Sequence, residues 1–429
     1  LQLKCATQQK LSRQQMPANK KITSLNTTMI TGRDFVIINP QSWQTDVSGN
    51  SRNIALALAA HNRVLFCNPP IDRSHLIKRK DDRFIQEHLQ LTGNRKQIHI
   101  KKLGENLWNL FPTAVAESVR WMPHGMFNVF NKINNQRFAT DIKAALAELG
   151  FSNIIILNDT EMFKGFYLKE MLQPDLYMYY SKDYMLDVPF WMKHGRKLEP
   201  ALMRKTDLGV ANSTYLRDLY KKQNPNAYYI GQGTNLQVFD VYKQREIPAD
   251  LKNIPHPIVG YVGALTTLRI DPEVLKTIAV EMPDWSLVLV GPWNETFPKE
   301  ALAQYKNIYF LDRKPLEQLP DYITGFDVCI NPQLINPTTI GNYPLKVDEY
   351  LAMGKPVVAS ATEGMKMFEA YSFLAATPQH YPPLIRKAHE ENNAGIRERR
   401  IEFARSHTWE NCALAIYDAI EKTYQLQKR

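Results

Sequence analysis

The feature that most constrains this chain is an alternation. Apolar runs of four or five residues recur between segments of helical period. Phe35-Val36-Ile37-Ile38 is followed by a segment with Ile54, Leu56 and Leu58 at helical spacing, and then by Val64-Leu65-Phe66-Cys67. Runs that are apolar throughout suit strands buried on both faces, and helices between such strands imply a parallel sheet. The same reading predicts strands at 153–157, 176–180, 208–211 and 228–230. The pattern thins over 240–257, where Pro248, Pro255 and Pro257 punctuate a polar stretch. It then restarts, with strands predicted at 258–262, 287–290, 308–311, 328–331 and 356–359. Helices are predicted at 271–281, 316–323, 345–353 and 409–426. The chain therefore reads as an α/β protein of two tandem lobes, with ligands expected at strand carboxyl ends in the cleft between them.

Composition excludes several classes. Hydrophobic residues make up 44% and charged residues 22%, which argues against wholesale disorder. No run reaches the roughly 18–20 apolar residues of a membrane span, and the N-terminus has no apolar signal core. Cys5, Cys67, Cys329 and Cys412 are far apart, so they read as reduced thiols of a cytoplasmic protein rather than as a disulfide framework or zinc site. The net charge is +10. Residues 1–33 carry six bases and no acid, and residues 73–102 carry nine bases against three acids, so the remainder is slightly acidic. A uniformly basic nucleic-acid binder does not have that distribution. The expected organisation is a basic, disordered tail over 1–33, with Met29 a candidate natural start. An acceptor-side lobe over 34–235 follows, then a nucleotide-binding lobe over 236–408. A final helix over 409–429 packs back toward the first lobe.

No G-x-x-x-x-G-K-[ST], G-x-S-x-G, H-E-x-x-H or D-x-D occurs, and Gly231-Gln232-Gly233 lacks the third glycine of a dinucleotide fingerprint. No metal site is predicted. The informative stretch runs from Asn342 to Ser360 and reads as loop, helix, tight turn and buried strand. Pro344 suits the first helical position. Free backbone N–H groups at that helix start form a cradle for a diphosphate. Lys346 stands in the first turn, where a cation opposes the helix dipole unless an anion is present. Glu349 follows on the same face. A solvated Lys–Glu pair accounts for the same two residues.

Together with other segments this stretch resembles family-4-like glycosyltransferases of the GT-B fold, which has two tandem Rossmann-like lobes. The supporting segments are Tyr261-Val262-Gly263-Ala264-Leu265, Leu287 to Pro292, Ile308 to Pro315, Phe326 to Pro332 and Phe403 to Trp409. The resemblance is close over 258–429 and looser in the first lobe, where Asn212-Ser213, Gly233-Thr234-Asn235 and Tyr180-Ser181-Lys182-Asp183 carry it. It implies transfer of a sugar from a nucleotide diphosphate-sugar to a glycan or lipid-linked acceptor, with retention and without a metal or other cofactor. By resemblance Gly263, Arg269, Gly291, Arg313, Leu345, Lys346 and Glu349 bind the donor. Lys346 and Arg269 hold the diphosphate, Glu349 the ribose and Arg313 the base. Asp183 either handles an acceptor proton or caps a helix. Gly49, Asn50 and Ser51 either offer backbone amides to a phosphate or acceptor, or form a plain turn and cap. His124, His194 and His407 read as packing or surface histidines. The chain departs from the pattern at Gly341, where the family's first motif glutamate falls, and at Ala264, where an arginine is common. A two-lobed nucleotide-sugar epimerase and a non-catalytic nucleotide-sugar-binding scaffold are the competing readings. The basic 73–102 segment, with Lys78-Arg79-Lys80, suggests an anionic membrane surface as a further partner; a solvated helix face is the alternative.

Overall fold

A computed structural model describes residues 29–45, 49–79 and 81–428. Most of the expected tail (1–28), Cys5, part of the loop after the first strand (46–48), Lys80 and Arg429 lie outside the described residues.

The first lobe is built on an eight-stranded sheet. Its strands in chain order are β1 (Asp34–Ile38), β2 (Arg63–Cys67), β4 (His99–Lys102), β5 (Leu107–Phe111), β7 (Ile155–Asp159), β8 (Leu176–Ser181), β9 (Leu208–Ala211) and β10 (Ala227–Tyr229). A separate small pair joins β3 (Ile71–Asp72) to β6 (Val115–Ala116). The spatial order is β10-β9-β8-β7-β1-β2-β5-β4. Every pairing is parallel except β4 with β5. Val36 stands between Leu65 and Ile156. Successive β1 side chains point to opposite faces, so Phe35 and Ile37 enter one core while Val36 and Ile38 enter the other. The strand order reverses between β1 and β7. The carboxyl ends of those two strands therefore flank the crevice where α/β sheets bind ligands.

The second lobe repeats the plan with β11 (Ile258–Val262), β12 (Ser286–Val290), β13 (Ile308–Leu311), β14 (Val328–Asn331), β15 (Val357–Ser360) and β16 (Phe373–Ala375). Their order is β13-β12-β11-β14-β15-β16, all parallel. Its crevice lies between β11 and β14. The final helix, Trp409–Gln427, leaves this lobe and packs on the first: Ala413, Ile416, Tyr417, Ala419 and Ile420 complete the core beneath Phe35, Phe66 and Tyr180.

The basic 73–102 segment is not one helix face. It forms the helices Arg73–Lys78 and Arg83–Leu91 and then β4, the antiparallel edge strand that carries Lys101 and Lys102. A charged edge strand discourages pairing with another chain. The long helix His124–Leu149 has no counterpart among the sequence expectations, because buried asparagines (Asn131, Asn134, Asn135) interrupt its apolar stripe. Cys67, Cys329 and Cys412 are free and buried. Among the described residues no helix is long and apolar enough to cross a membrane.

Candidate active site between the lobes

The second-lobe side of the cleft is assembled from three loop ends. Gly263 directly follows β11 and Gly291 directly follows β12, both with φ of 146°. A side chain is strained there, and space is also lacking. A Cβ on Gly263 meets Lys346 Cε at 2.0 Å, and one on Gly291 meets the Gly263 carbonyl oxygen at 2.2 Å. The two turns thus pack directly on each other, and the Lys346 side chain lies across the first. Its ammonium is 5.6 Å from the Tyr261 ring centroid. Lys346 makes no hydrogen bond or ion pair with any described residue.

The helix that carries Lys346 is Leu345–Ala352, with Pro344 at the cap rather than at the first helical position. No side chain caps it; the Leu345 and Val347 N–H groups donate to the Tyr343 and Pro344 carbonyl oxygens at 3.1 and 2.8 Å. Leu345 at its start is exposed. Burial pushes the Glu349 carboxyl up to about 7, against the attraction of Lys346 and with the repulsion of Asp348. Asp348 is fully buried behind it. It accepts from the Tyr343 hydroxyl and lies 2.7 Å from His407 Nδ1. The His407 carbonyl oxygen accepts from Thr234 N at 2.9 Å, in the strap between the lobes. His407 thus ties the Lys346–Glu349 helix to the interlobe connection, a role that sequence reading missed. Arg313 is exposed just beyond β13, at the far edge of the sheet.

On the first-lobe side, Asp183 follows β8. It caps no helix: the next one, Pro189–Lys205, begins six residues later, with Val188 at its cap. Burial pushes the Asp183 carboxyl above the usual carboxylate range, while Arg269 from the other lobe and Lys182 pull it down. Arg269 is exposed and has no hydrogen-bonded or ion-paired partner through its guanidinium among the described residues. The structure therefore brings Asp183 and Arg269 toward each other across the cleft. Beside them Tyr184 N donates to Asn342 Oδ1 at 3.3 Å.

The remaining first-lobe residues are fastened to one another. Asn50 and Gln232 exchange hydrogen bonds of 2.7 and 2.9 Å, and Asn50 also donates to the Tyr180 hydroxyl. The Ser51 hydroxyl is fully buried and accepts from Asn39, so it does not face the cleft. Gly49 caps its helix without a side-chain bond. At the end of β7, buried Asp159 pairs with Lys182 at 2.7 Å, and Glu161 lies 3.1 Å from Lys164. Thr160 between them has φ of 54°, a conformation that costs a β-branched residue about 1–3 kcal/mol. Sequence reading missed this corner; the polar triplet Asp159-Thr160-Glu161 shortly after the strand predicted at 153–157 is the signal that could have marked it. His194 stacks on Phe127 at 3.9 Å and is a packing residue.

Gly341 is part of the closure. Its carbonyl oxygen accepts from Ser213 Oγ at 2.6 Å, and Ser213 also caps the Thr214–Lys221 helix. A Cβ on Gly341 meets Tyr215 Cδ1 at 1.9 Å. No longer side chain fits where this loop meets the first lobe.

Known proteins give the same outline. The family described as "Glycosyl transferases group 1" matches residues 256–379. TuaH of Bacillus subtilis (strain 168), named as a teichuronic acid biosynthesis glycosyltransferase, is 24% identical over 244 residues. That match spans 54% of this chain and 60% of the relative's length. Sucrose-phosphate synthase of Thermosynechococcus elongatus superposes with a TM-score of 0.61 at 17% identity, over 92% of this chain and all of the other. HepE of Anabaena in complex with UDP gives 0.60 at 14% identity, over 91% of this chain and all of the other. The trehalose-6-phosphate protein of E. coli, bound with UDP-2-fluoro glucose, gives 0.61 at 11% identity, over 90% and 98% of the two chains. The two parallel-sheet lobes thus share the GT-B outline of these structures, and the second lobe contains the segment that matches the group 1 glycosyltransferase family.

Proposed function

We propose that this protein moves a sugar from a nucleoside diphosphate sugar to a glycan or lipid-linked acceptor, with retention of configuration and no metal. One observation carries the reading. Lys346 extends over Gly263 beside a helix start without a side-chain cap, and among the described residues no carboxylate forms a hydrogen bond or ion pair with it. A desolvated cation at a positive helix end is costly unless an anion joins it, and a leaving diphosphate is such an anion.

In this reading the anomeric carbon exchanges its bond to a diphosphate oxygen for a bond to an acceptor hydroxyl oxygen on the same face. Lys346, Arg269 and the Leu345–Ala352 helix start stabilise the charge that develops on the diphosphate. Glu349 accepts hydrogen bonds from the ribose, and Arg313 contacts the base. Asp183, raised by burial, receives the acceptor proton. The neighbours bound to UDP and UDP-glucose make uracil the first base to try. The acceptor is met at the cytoplasmic face of an anionic membrane.

A thermal-shift panel of UDP-, GDP-, ADP- and dTDP-sugars, repeated on Lys346→Ala, tests the donor site. One nucleotide should stabilise the wild type and lose that effect in the variant; no stabilisation by any of them refutes the assignment. A second reading, donor binding without turnover, draws on Gly341, whose place Tyr215 closes to any carboxylate. Donor binding without transfer of labelled sugar to a membrane extract would favour it.

A further inference from the structure

His407 sits where three parts of the chain meet. It lies between the Ala394–Arg405 helix and the final helix, and its N–H donates back to the Ala404 carbonyl oxygen at 3.0 Å. Its carbonyl oxygen accepts from Thr234 N at 2.9 Å, in the strap between the lobes. A second contact closes the strap there, since a Cβ on Gly233 meets Trp409 Cδ2 at 2.3 Å. The His407 imidazole reaches the helix that carries Lys346 and Glu349, where Nδ1 lies 2.7 Å from Asp348 Oδ1. The Phe403 ring packs edge-on against the imidazole, with centroids 4.5 Å apart, and limits its rotation. One residue therefore fastens the strap by its backbone and the Leu345–Ala352 helix by its side chain.

The pair is a costly way to join two helices. The Asp348 side chain is fully buried and that of His407 is 15% exposed. Apolar side chains of similar volume often stabilise a fold at least as well as a buried ion pair, so packing alone does not account for it. Two donors converge on the carboxylate, the Tyr343 hydroxyl on Oδ2 and His407 on Oδ1. A carboxylate only accepts, so His407 Nδ1 carries the proton. Neighbouring helix positions diverge by ~100°, which puts Asp348 and Glu349 on different sides of the helix. Their charges still interact. Burial is the main reason the Glu349 carboxyl stands at about 7; Lys346 opposes it, and repulsion by Asp348 adds to it. Tyr350 is a further titratable group beside Glu349, as Tyr229 and Cys412 are near Asp348. Among the described residues only Tyr343 and His407 hydrogen-bond to the Asp348 carboxylate.

We propose that His407 is a positioning residue for the donor site: bound to Asp348, it holds the Leu345–Ala352 helix against the strap and shields Glu349 from the Asp348 charge. The inference rests on the donor reading above and adds to it a residue that touches no substrate. With His407 in place, the helix that presents Lys346 and Glu349 keeps a fixed relation to the connection between the lobes. Without it, Asp348 loses one of its two donors and the helix loses its tie to the strap. A displacement of about 1 Å in a binding element is enough to cost ~10²-fold in rate.

The titration of Glu349 tests the shield without any ligand. The gain in melting temperature from Glu349→Gln grows with pH and levels off where the folded carboxyl ionises, about 7 in the otherwise wild-type chain. In the His407→Ala background the level-off should move up, on the order of one pH unit, and in the Asp348→Asn background it should move down. UDP binding by calorimetry at pH 8 tests the placement. His407→Ala should weaken it on the order of 10-fold, whereas His407→Asn, whose amide N–H stands near the place of Nδ1, should stay within about 2-fold of wild type. Should His407→Ala fail to fold, combining it with Asp348→Asn removes the stranded charge; that chain should fold and still bind UDP more weakly than Asp348→Asn alone. A level-off that stays in place in folded His407→Ala overturns the proposal. So does a shift in the same direction in both backgrounds, or His407→Asn that binds UDP as poorly as His407→Ala. Wild type that binds no UDP refutes the donor reading, while the level-off still decides whether His407 shields Glu349.

Discussion

The two sides of the cleft handle charge in opposite ways. In the second lobe the Lys346 ammonium and the Arg269 guanidinium have no hydrogen-bonded or ion-paired partner among the described residues, and burial holds the Glu349 carboxyl up at about 7. In the first lobe nearly every polar group at the sheet's edge is engaged: Asp159 by Lys182, Glu161 by Lys164, Asn50 by Gln232 and Ser51 by Asn39. Asp183 has neither a side-chain hydrogen bond nor an ion pair among the described residues. A lobe that recognises a fixed, highly charged ligand leaves its countercharges unpaired. A lobe whose polar groups hold loops in place pairs them internally. Exchanging one lysine on each side should therefore produce different kinds of damage.

Lys182→Ala is expected to cause the largest loss of stability, about 3–5 kcal/mol, because it leaves Asp159 charged and fully buried. Thermal unfolding checks it, and an unchanged melting temperature would remove the contrast between the lobes. Lys346→Ala should leave the melting temperature of the free protein nearly unaltered while lowering the transfer rate ~10²–10³-fold, the scale of losing one group that stabilises developing charge. Single-turnover transfer from a saturating donor reads that effect. Gly341→Ala forces a Cβ into the Tyr215 ring and should destabilise by about 1–3 kcal/mol. Tyr215→Ala in the same chain should recover most of that loss if lobe contact is the cause, which a double-mutant cycle measures.

The smallest effect is a pH dependence. The Glu349 pKa is raised from 4.5 to about 7, so the folded state holds a proton that the unfolded state has released between those values. Glu349 therefore costs no stability below pH 4.5 and a growing amount as pH rises through 7. Glu349→Gln should raise the melting temperature at pH 8 and leave it unchanged at pH 4, a gain on the order of 1–2 kcal/mol once solvent screening in the cleft is counted. An equal gain at both pH values would show that the carboxyl is not held up by burial. Donor affinity should move the opposite way, rising from pH 6 to pH 8 in the wild type as the carboxylate forms, with no such rise in the variant.

Much of the fold was legible because parallel strands bury both faces. Phe35–Ile38, Leu208–Ala211, Ile258–Val262 and Ile308–Leu311 stand out as unbroken apolar runs, and their helices follow by elimination. The His99–Lys102 edge strand and the His124–Leu149 helix were not legible, since one is charged and the other places asparagines in the core. Within the site, Lys346 drew notice because a cation in a first helical turn breaks a local rule. His407 and Asp348 broke no such rule, and only their 2.7 Å approach across 59 residues reveals the strut.

The sequence by itself determined the two tandem α/β units, the thinning of the pattern near 240–257 and the loop, helix and strand of the 342–360 stretch, because periodicity and turn chemistry act over a few residues. The tertiary structure decided which charges face the cleft and which are spent on loops. It also showed that Gly341 is closed by Tyr215. Those facts are distances between residues far apart in the chain, set by how sheets and helices pack, and no local pattern encodes them.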